Sequence, residues 1–139
     1  VRLLLDTHAL LWFLMDDPQL ADPARDMVTD PAHDVLVSSV SLWEIAVKLR
    51  IGKLSADLAE IVTACQRLGL PFLDIAPPHL LELGRLPVFA DHRDPFDHLL
   101  IAQAITEDLM FVSDDRNTPR YPVRHLRCSG QRPLLPTSI

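Results

Sequence analysis

Carboxylates are the residues in this chain whose placement points to chemistry. Asp6 ends the short run Arg2–Leu5, and Asp114 and Asp115 end another, Met110–Ser113. Glu44 lies in the apolar helical stretch that follows a third run, Val35–Ser38. Asp97 falls in the first turn of a helix opened by Asp94-Pro95. Short apolar runs bounded this way suit buried parallel strands, and in open parallel sheets ligands gather at the carboxyl ends of the strands. A fold that brings Asp6, Glu44, Asp97 and Asp115 to one such edge makes a set of hard oxygen donors suited to Mg²⁺ or Mn²⁺.

Each acid also has a plain structural reading. Asp6 can cap the helix that follows it. Glu44 can close a capping box with Ser41, or pair with Lys48 one turn on. Asp94 reads as the N-cap before Pro95, and Asp97 then favours the helix dipole. Asp114 and Asp115 can be turn residues. The surroundings tilt the balance. Leu42, Trp43, Ile45, Ala46 and Leu49 flank Glu44, and the helix after Asp97 is apolar on most sides. A carboxylate in such a setting needs a partner, and a metal ion supplies one.

The elements that must position these acids alternate along the chain. Helices are expected over Thr7–Met15, from Asp22-Pro23 with Asp22 as cap, over Ser41–Ile51 up to Gly52, over Ser55–Leu68 up to Gly69, over Pro77–Leu83 and over Asp94–Glu107. Strands are expected at Arg2–Leu5, Val35–Ser38, Phe72–Ile75, Met110–Ser113 and Val123–Arg127, with a loop over Gly84–Arg93. That alternation predicts an α/β domain with a mainly parallel sheet. A domain over 1–128 is expected, with a loose Pro-containing tail over 129–139.

Composition narrows the classes. One domain fits 139 residues, and 48% hydrophobic residues suffice for a core. A formal net charge of -6, from 13 basic and 19 acidic residues, argues against gripping nucleic acid by charge alone. It leaves open a nuclease whose acids hold metal. Cys65 and Cys128 are far apart and in no metal spacing, which suggests a reduced, cytoplasmic setting. The apolar stretch Ala9–Met15 is too short to span a bilayer, so no membrane association is expected. His8, His33, His79, His92, His98 and His125 show no zinc spacing; His98, beside Asp97, either touches the site or is incidental.

The motifs resemble those of PIN domains. Leu3-Leu-Leu-Asp6-Thr-His-Ala-Leu-Leu-Trp12 is similar to the first motif of that family, and Ser39-Val-Ser-Leu-Trp-Glu44-Ile-Ala-Val-Lys48 with Gly52-Lys53-Leu54 to the second. Asp94-Pro-Phe-Asp97-His-Leu-Leu-Ile-Ala-Gln-Ala104 resembles the third and Phe111-Val-Ser-Asp-Asp115 the fourth. The order and spacings hold from residue 2 to about residue 126. Singly each motif is weak; together they are specific, and most similar to the toxin nucleases of VapBC toxin–antitoxin systems.

The resemblance implies a three-layer α/β/α fold and a metal-dependent endoribonuclease, with Mg²⁺ or Mn²⁺ as cofactor and a metal-activated water as nucleophile. It assigns the four family acids to Asp6, Glu44, Asp97 and Asp115. The family acid of the third motif stands seven residues before the second alanine, which selects Asp97 over Asp94. The fourth motif selects Asp115, leaving Asp114 at the variable position with a role still open. Thr7 and Ser113 match the hydroxyls that back the carboxylates. Lys48, Arg50 and Lys53 are candidates for holding the RNA backbone, or solvated surface cations. The implied partners are RNA, a VapB-like antitoxin whose tail lies across the site, and a second copy of the chain. Segments around Trp12, Trp43 and Leu80-Leu81 are candidate contacts, although each also suits a core position.

Two other readings compete. A phosphotransfer domain using Asp6 as nucleophile is disfavoured. The haloacid-dehalogenase pattern needs a second Asp where His8 stands, and a receiver domain needs an acidic pair after the first strand and an acceptor after the third, where Asp74 falls within the expected strand. An inactive PIN scaffold that only binds a partner is opposed by the presence of all four acids.

Overall fold

The structure, a computed structural model, describes residues 1–129. The expected tail lies outside the described residues from residue 130 onward. The chain runs β1 (Arg2–Leu5), α1 (Thr7–Leu14), α2 (Asp22–Thr29), β2 (Asp34–Ser38), α3 (Ser39–Arg50), α4 (Leu58–Arg67), β3 (Phe72–Leu73), α5 (Pro77–Leu83), α6 (Pro95–Thr106), β4 (Met110–Val112), a 3₁₀ turn (Thr118–Arg120) and β5 (His125–Leu126). The strands form one sheet in the order β3-β2-β1-β4-β5, and every pairing is parallel.

Sidedness follows from the two-residue period of a strand. In β1, Leu3 and Leu5 face one apolar cluster with Ala9, Leu10, Ala24, Val28, Ile61 and Cys65. Leu4 faces the other, with Leu99, Leu100, Ala104 and Phe111. Helices α1, α2 and α4 therefore cover one face and α5 and α6 the other, which is the expected three-layer α/β/α arrangement. Helix α3 contributes Ile45 to the first cluster and Val40 to the second, so it straddles the edge between the layers.

β1 is central, and its carboxyl end meets the partners that matter. Leu5 pairs with Val37 of β2 and with Val112 of β4. The chain proceeds from β1 outward to β2 and β3, then returns to add β4 and β5 on the other side. The reversal between β1 and β4 opens a crevice where their connections diverge, the usual place for a site in such sheets.

Helix ends carry a repeated device. After α3, Gly52 (φ 76°) donates to the Leu49 carbonyl and Lys53 to the Lys48 carbonyl; after α4, Gly69 (φ 70°) and Leu70 repeat the pattern onto Gln66 and Cys65. These are Schellman closures, which require the left-handed conformation that glycine adopts without strain. The same closure ends α1 and α6, but with Asp16 (φ 52°) and Asp108 (φ 55°) in the left-handed position.

Several boundaries differ from the sequence expectation. Asp22 is the first residue of α2 rather than its cap, which is Ala21 and makes no side-chain cap bond. Helix α3 begins earlier than expected because Ser38 caps it, its hydroxyl accepting the Val40 N–H. Ser41 is therefore inside the helix, and the expected Ser41–Glu44 capping box is absent. Helix α4 starts later, capped by Asp57. Strand β3 stops at Leu73, so Asp74 lies past the strand rather than within it, and accepts the Ser39 hydroxyl at 2.7 Å.

A buried polar knot joins α5 to α6. His79 takes the Ala76 N–H on Nδ1 at 3.0 Å and places Nε2 2.8 Å from Glu107 Oε2. Gln103 accepts the Ser38 hydroxyl and donates to the Asp74 carbonyl.

Candidate active site

At the β1/β4 crevice a cleft of about 330 Å³ is lined by Asp6, Thr7, His8, Trp12, Glu44, Lys48, Asp94, Asp97, Asp114 and Asp115. All four expected acids reach it, from four different elements. Asp6 follows β1 and caps α1, its Oδ1 accepting the Ala9 N–H at 2.7 Å. Glu44 enters from the middle of α3, 3% exposed. Asp97 enters from the first turn of α6. Asp115 follows β4 in an Asx turn, its Oδ1 accepting the Asn117 N–H at 2.8 Å.

Both candidate hydroxyls, Thr7 and Ser113, lie beside the acids. Thr7 Oγ1 donates to Glu44 Oε1 at 2.6 Å, with Ser41 Oγ 3.1 Å away. The Ser113 hydroxyl acts to lower the Asp6 carboxyl and accepts the Asp115 N–H at 3.1 Å. One side chain thus acts on the two acids that follow neighbouring strands.

The other expected residues divide. Lys48 lines the cleft and donates to Glu44 Oε2 at 2.7 Å. Burial acts to lower its ammonium, but the Glu44 bond and the charges of Glu44, Asp94 and Asp97 outweigh that and raise it. Arg50 and Lys53 are exposed and do not line the cleft. Asp94 caps α6, accepting the Phe96 N–H at 2.9 Å and the Asp97 N–H at 3.3 Å. Asp114 accepts the Ser129 N–H at 3.0 Å, which ties the cleft rim to the chain beyond β5. Trp12 lines the cleft wall under His8, the two rings 5.7 Å apart and nearly parallel.

Of the histidines near Asp97 in the chain, His92 rather than His98 approaches the carboxylates. His92 Nε2 lies 3.3 Å from Asp97 Oδ2 and 4.0 Å from Asp115 Oδ2. His98 turns away from the carboxylates and bonds the His92 carbonyl at 2.9 Å. The available signal was weak: His92 precedes Asp97 by five residues across a loop, with no helical spacing to announce it.

The electrostatics favour a cation. Burial is the main cause that pushes Asp6 up to about 6, with the Glu44 charge adding to it and the Ser113 and Ala9 bonds opposing. Asp97 is pushed up to about 8, first by burial, then by the charges of Asp94, Asp115 and Asp6. Asp115 goes the other way: burial raises it, but the Asn117 N–H, the Asp97 hydrogen bond and His92 together hold it below the ordinary range. Carboxyls that resist ionisation because they are buried and crowded by like charges are relieved by a divalent ion, and the oxygen-rich donor set suits a hard one. The residues present fit a site for Mg²⁺ or Mn²⁺.

Comparison with known proteins agrees with this picture. The fold is similar to VapBC2 of Rickettsia felis bound to a DNA fragment from its promoter, with a TM-score of 0.66 and 15% identity over 91% of this chain and 98% of that one. It is also similar to DNA-bound VapBC of Salmonella typhimurium, with a TM-score of 0.65 and 17% identity over 91% and 98% of the two chains. No curated protein matches the chain in sequence. The PIN domain family model matches residues 3–123. PIN domains are generally nucleases that use divalent metals, in keeping with the acidic cleft, and this chain belongs to the PIN domain family.

Proposed function

We propose that this protein is a divalent-metal-dependent endoribonuclease of the VapC type, the toxin of a toxin–antitoxin pair. The observation that carries the reading is the convergence of Asp6, Glu44, Asp97 and Asp115 on one cleft at the β1/β4 crevice. Asp6, Asp97 and Asp115 would hold Mg²⁺ or Mn²⁺, with Glu44 joining when Lys48 releases one of its oxygens. A bound ion supplies charge to offset the phosphate oxygens and lowers the pKa of a water for in-line attack. Thr7 and Ser113 hold the carboxylates in place, and Lys48 is the cation within the cleft able to meet a phosphate. His8 over Trp12 offers an aromatic face to a base beside the scissile bond. The nuclease unit is residues 1–128.

The VapBC neighbours support a VapB-like antitoxin as partner, and an acidic cleft favours an Arg or Lys from such a partner's tail. A second copy of the chain is the other proposed partner. Trp43 is 49% exposed and Leu81 69%, with Leu80 also exposed, so the core reading of these residues does not hold; Trp12 packs against the core. Among the described residues no helix is long and apolar enough to cross a membrane. The reading places RNA, antitoxin and toxin together in the cytoplasm.

The test is cleavage of RNA and of DNA by the wild type, Asp6→Asn and Asp97→Asn with Mg²⁺ or Mn²⁺. Each variant should fold and lose RNA cleavage by about 100-fold or more. Full activity in either variant removes the assignment. Failure of the wild type to bind Mn²⁺ at millimolar concentration would replace it with a binding-only PIN scaffold.

A further inference from the structure

We propose that Nε2 of His92 is a ligand of the divalent ion beside Asp97 and Asp115, so that the centre binds through nitrogen as well as oxygen. The inference rests on the metal-dependent reading of the cleft and deepens it.

One ligand atom from each of His92, Asp97 and Asp115 lies within 4.8 Å of the other two. Ligands of an ion with bonds of about 2.1 Å stand about 3.0 Å apart at right angles and about 3.4 Å apart at tetrahedral angles. The 3.3 Å from Nε2 to Asp97 Oδ2 falls between these, and the 4.0 Å to Asp115 Oδ2 needs only a small closure. As a hydrogen bond to a carboxylate the 3.3 Å contact is long, so hydrogen bonding alone accounts poorly for the approach.

The rest of the ring is occupied in the way a metal-binding imidazole requires. Nδ1 lies 2.7 Å from the Tyr121 hydroxyl. A ring that donates from Nδ1 to the phenol oxygen presents the Nε2 lone pair to the two carboxylates, an arrangement completed by a cation between them. The ring is 7% exposed and clamped: His98 lies edge-on at 4.8 Å and Tyr121 at 5.5 Å between ring centres. The loop that carries it is clamped as well. Arg120 lies 3.9 Å over the Phe89 ring and bonds Asp91 at 3.0 Å, and Phe89 packs on Tyr121. The segment after Asp115 thereby fixes the loop before Asp97, and the nitrogen is held behind the cleft wall against Asp97 and Asp115. A nitrogen donor shifts ion preference away from Mg²⁺, which favours oxygen, toward first-row transition ions.

Pulsed electron paramagnetic resonance of the full chain loaded with Mn²⁺ tests this on the unmutated protein. The bound ion should show nitrogen coupling that changes when histidine is supplied as ¹⁵N. The coupling should vanish in His92→Gln and persist in His8→Ala, since His8 is the histidine that lines the cleft itself. The Mn²⁺ dissociation constant of His92→Gln should rise about tenfold, with a smaller change for Mg²⁺. Bound Mn²⁺ without histidine coupling, or coupling that survives in His92→Gln, overturns the inference and leaves the metal-dependent reading standing. Absence of any Mn²⁺ binding overturns both.

Discussion

Asp97 is the residue on which pH should act most. Its carboxyl is raised from 3.8 to about 8, so between those values the folded protein keeps a proton that the unfolded chain releases. The metal-free protein therefore loses stability as pH rises from about 4 to about 8, and Asp6 adds to the same slope up to about 6. Asp115 has the opposite sign, but its depressed value confines that contribution to acid below the ordinary carboxylate range. Thermal melts in chelator should show the fall, Asp97→Asn should flatten it, and saturating Mn²⁺ should remove it; a melt that rises from pH 5 to pH 8 in chelator would contradict the assignment. At this scale Asp6, Asp97 and Asp115 were legible because each follows a strand or opens a helix, whereas Glu44, inside α3, was legible only through the motif around it. Glu44 was the least secure of them, and its structural alternative is real: the Lys48 pair forms as expected, yet on a side chain that also takes the Thr7 hydroxyl inside the cleft. His92 was illegible because its position depends on a loop and on Tyr121, far along the chain.

The elements themselves were read correctly in kind and order, and missed mainly at their ends. Strands β3 and β5 are shorter than expected because pairing, rather than composition, ends a strand, and each lies at a sheet edge. The start of α3 moved because Ser38, Ser39 and Ser41 all suit a cap and only the fold selects Ser38. Helix ends give two predictions. Asp16 holds a left-handed position, and its side chain is 91% exposed in its contact with Arg25. Asp16→Gly should raise stability by about 0.5 kcal/mol, since the backbone strain outweighs a screened surface pair; denaturant unfolding measures it. His79→Ala should lower stability by about 2–3 kcal/mol, because it opens a buried space and strands the Ala76 N–H. The same titration should show that loss with an unchanged slope.

For the whole molecule, the charges of Asp6 and Asp97 oppose folding until they are neutralised. An ion held at 100 times its dissociation constant should add about 2.7 kcal/mol, so chelation should lower the melting temperature by several degrees and Mn²⁺ should restore it. Self-association should depend on exposed apolar side chains rather than on the core. Leu81→Asp should shift sedimentation toward the monomer with little change in melting temperature, because Leu81 contributes little to the folded interior. The sheet order has a last consequence. β1 sits in the middle and carries Asp6, but β4, which carries Asp115 and completes the crevice, comes near the far end of the chain. A growing polypeptide can form the β1–β2–β3 half early, yet holds only part of the carboxylate set until β4 inserts beside β1. On the proposed reading, a chain cut short before that strand should therefore be harmless to the RNA around it.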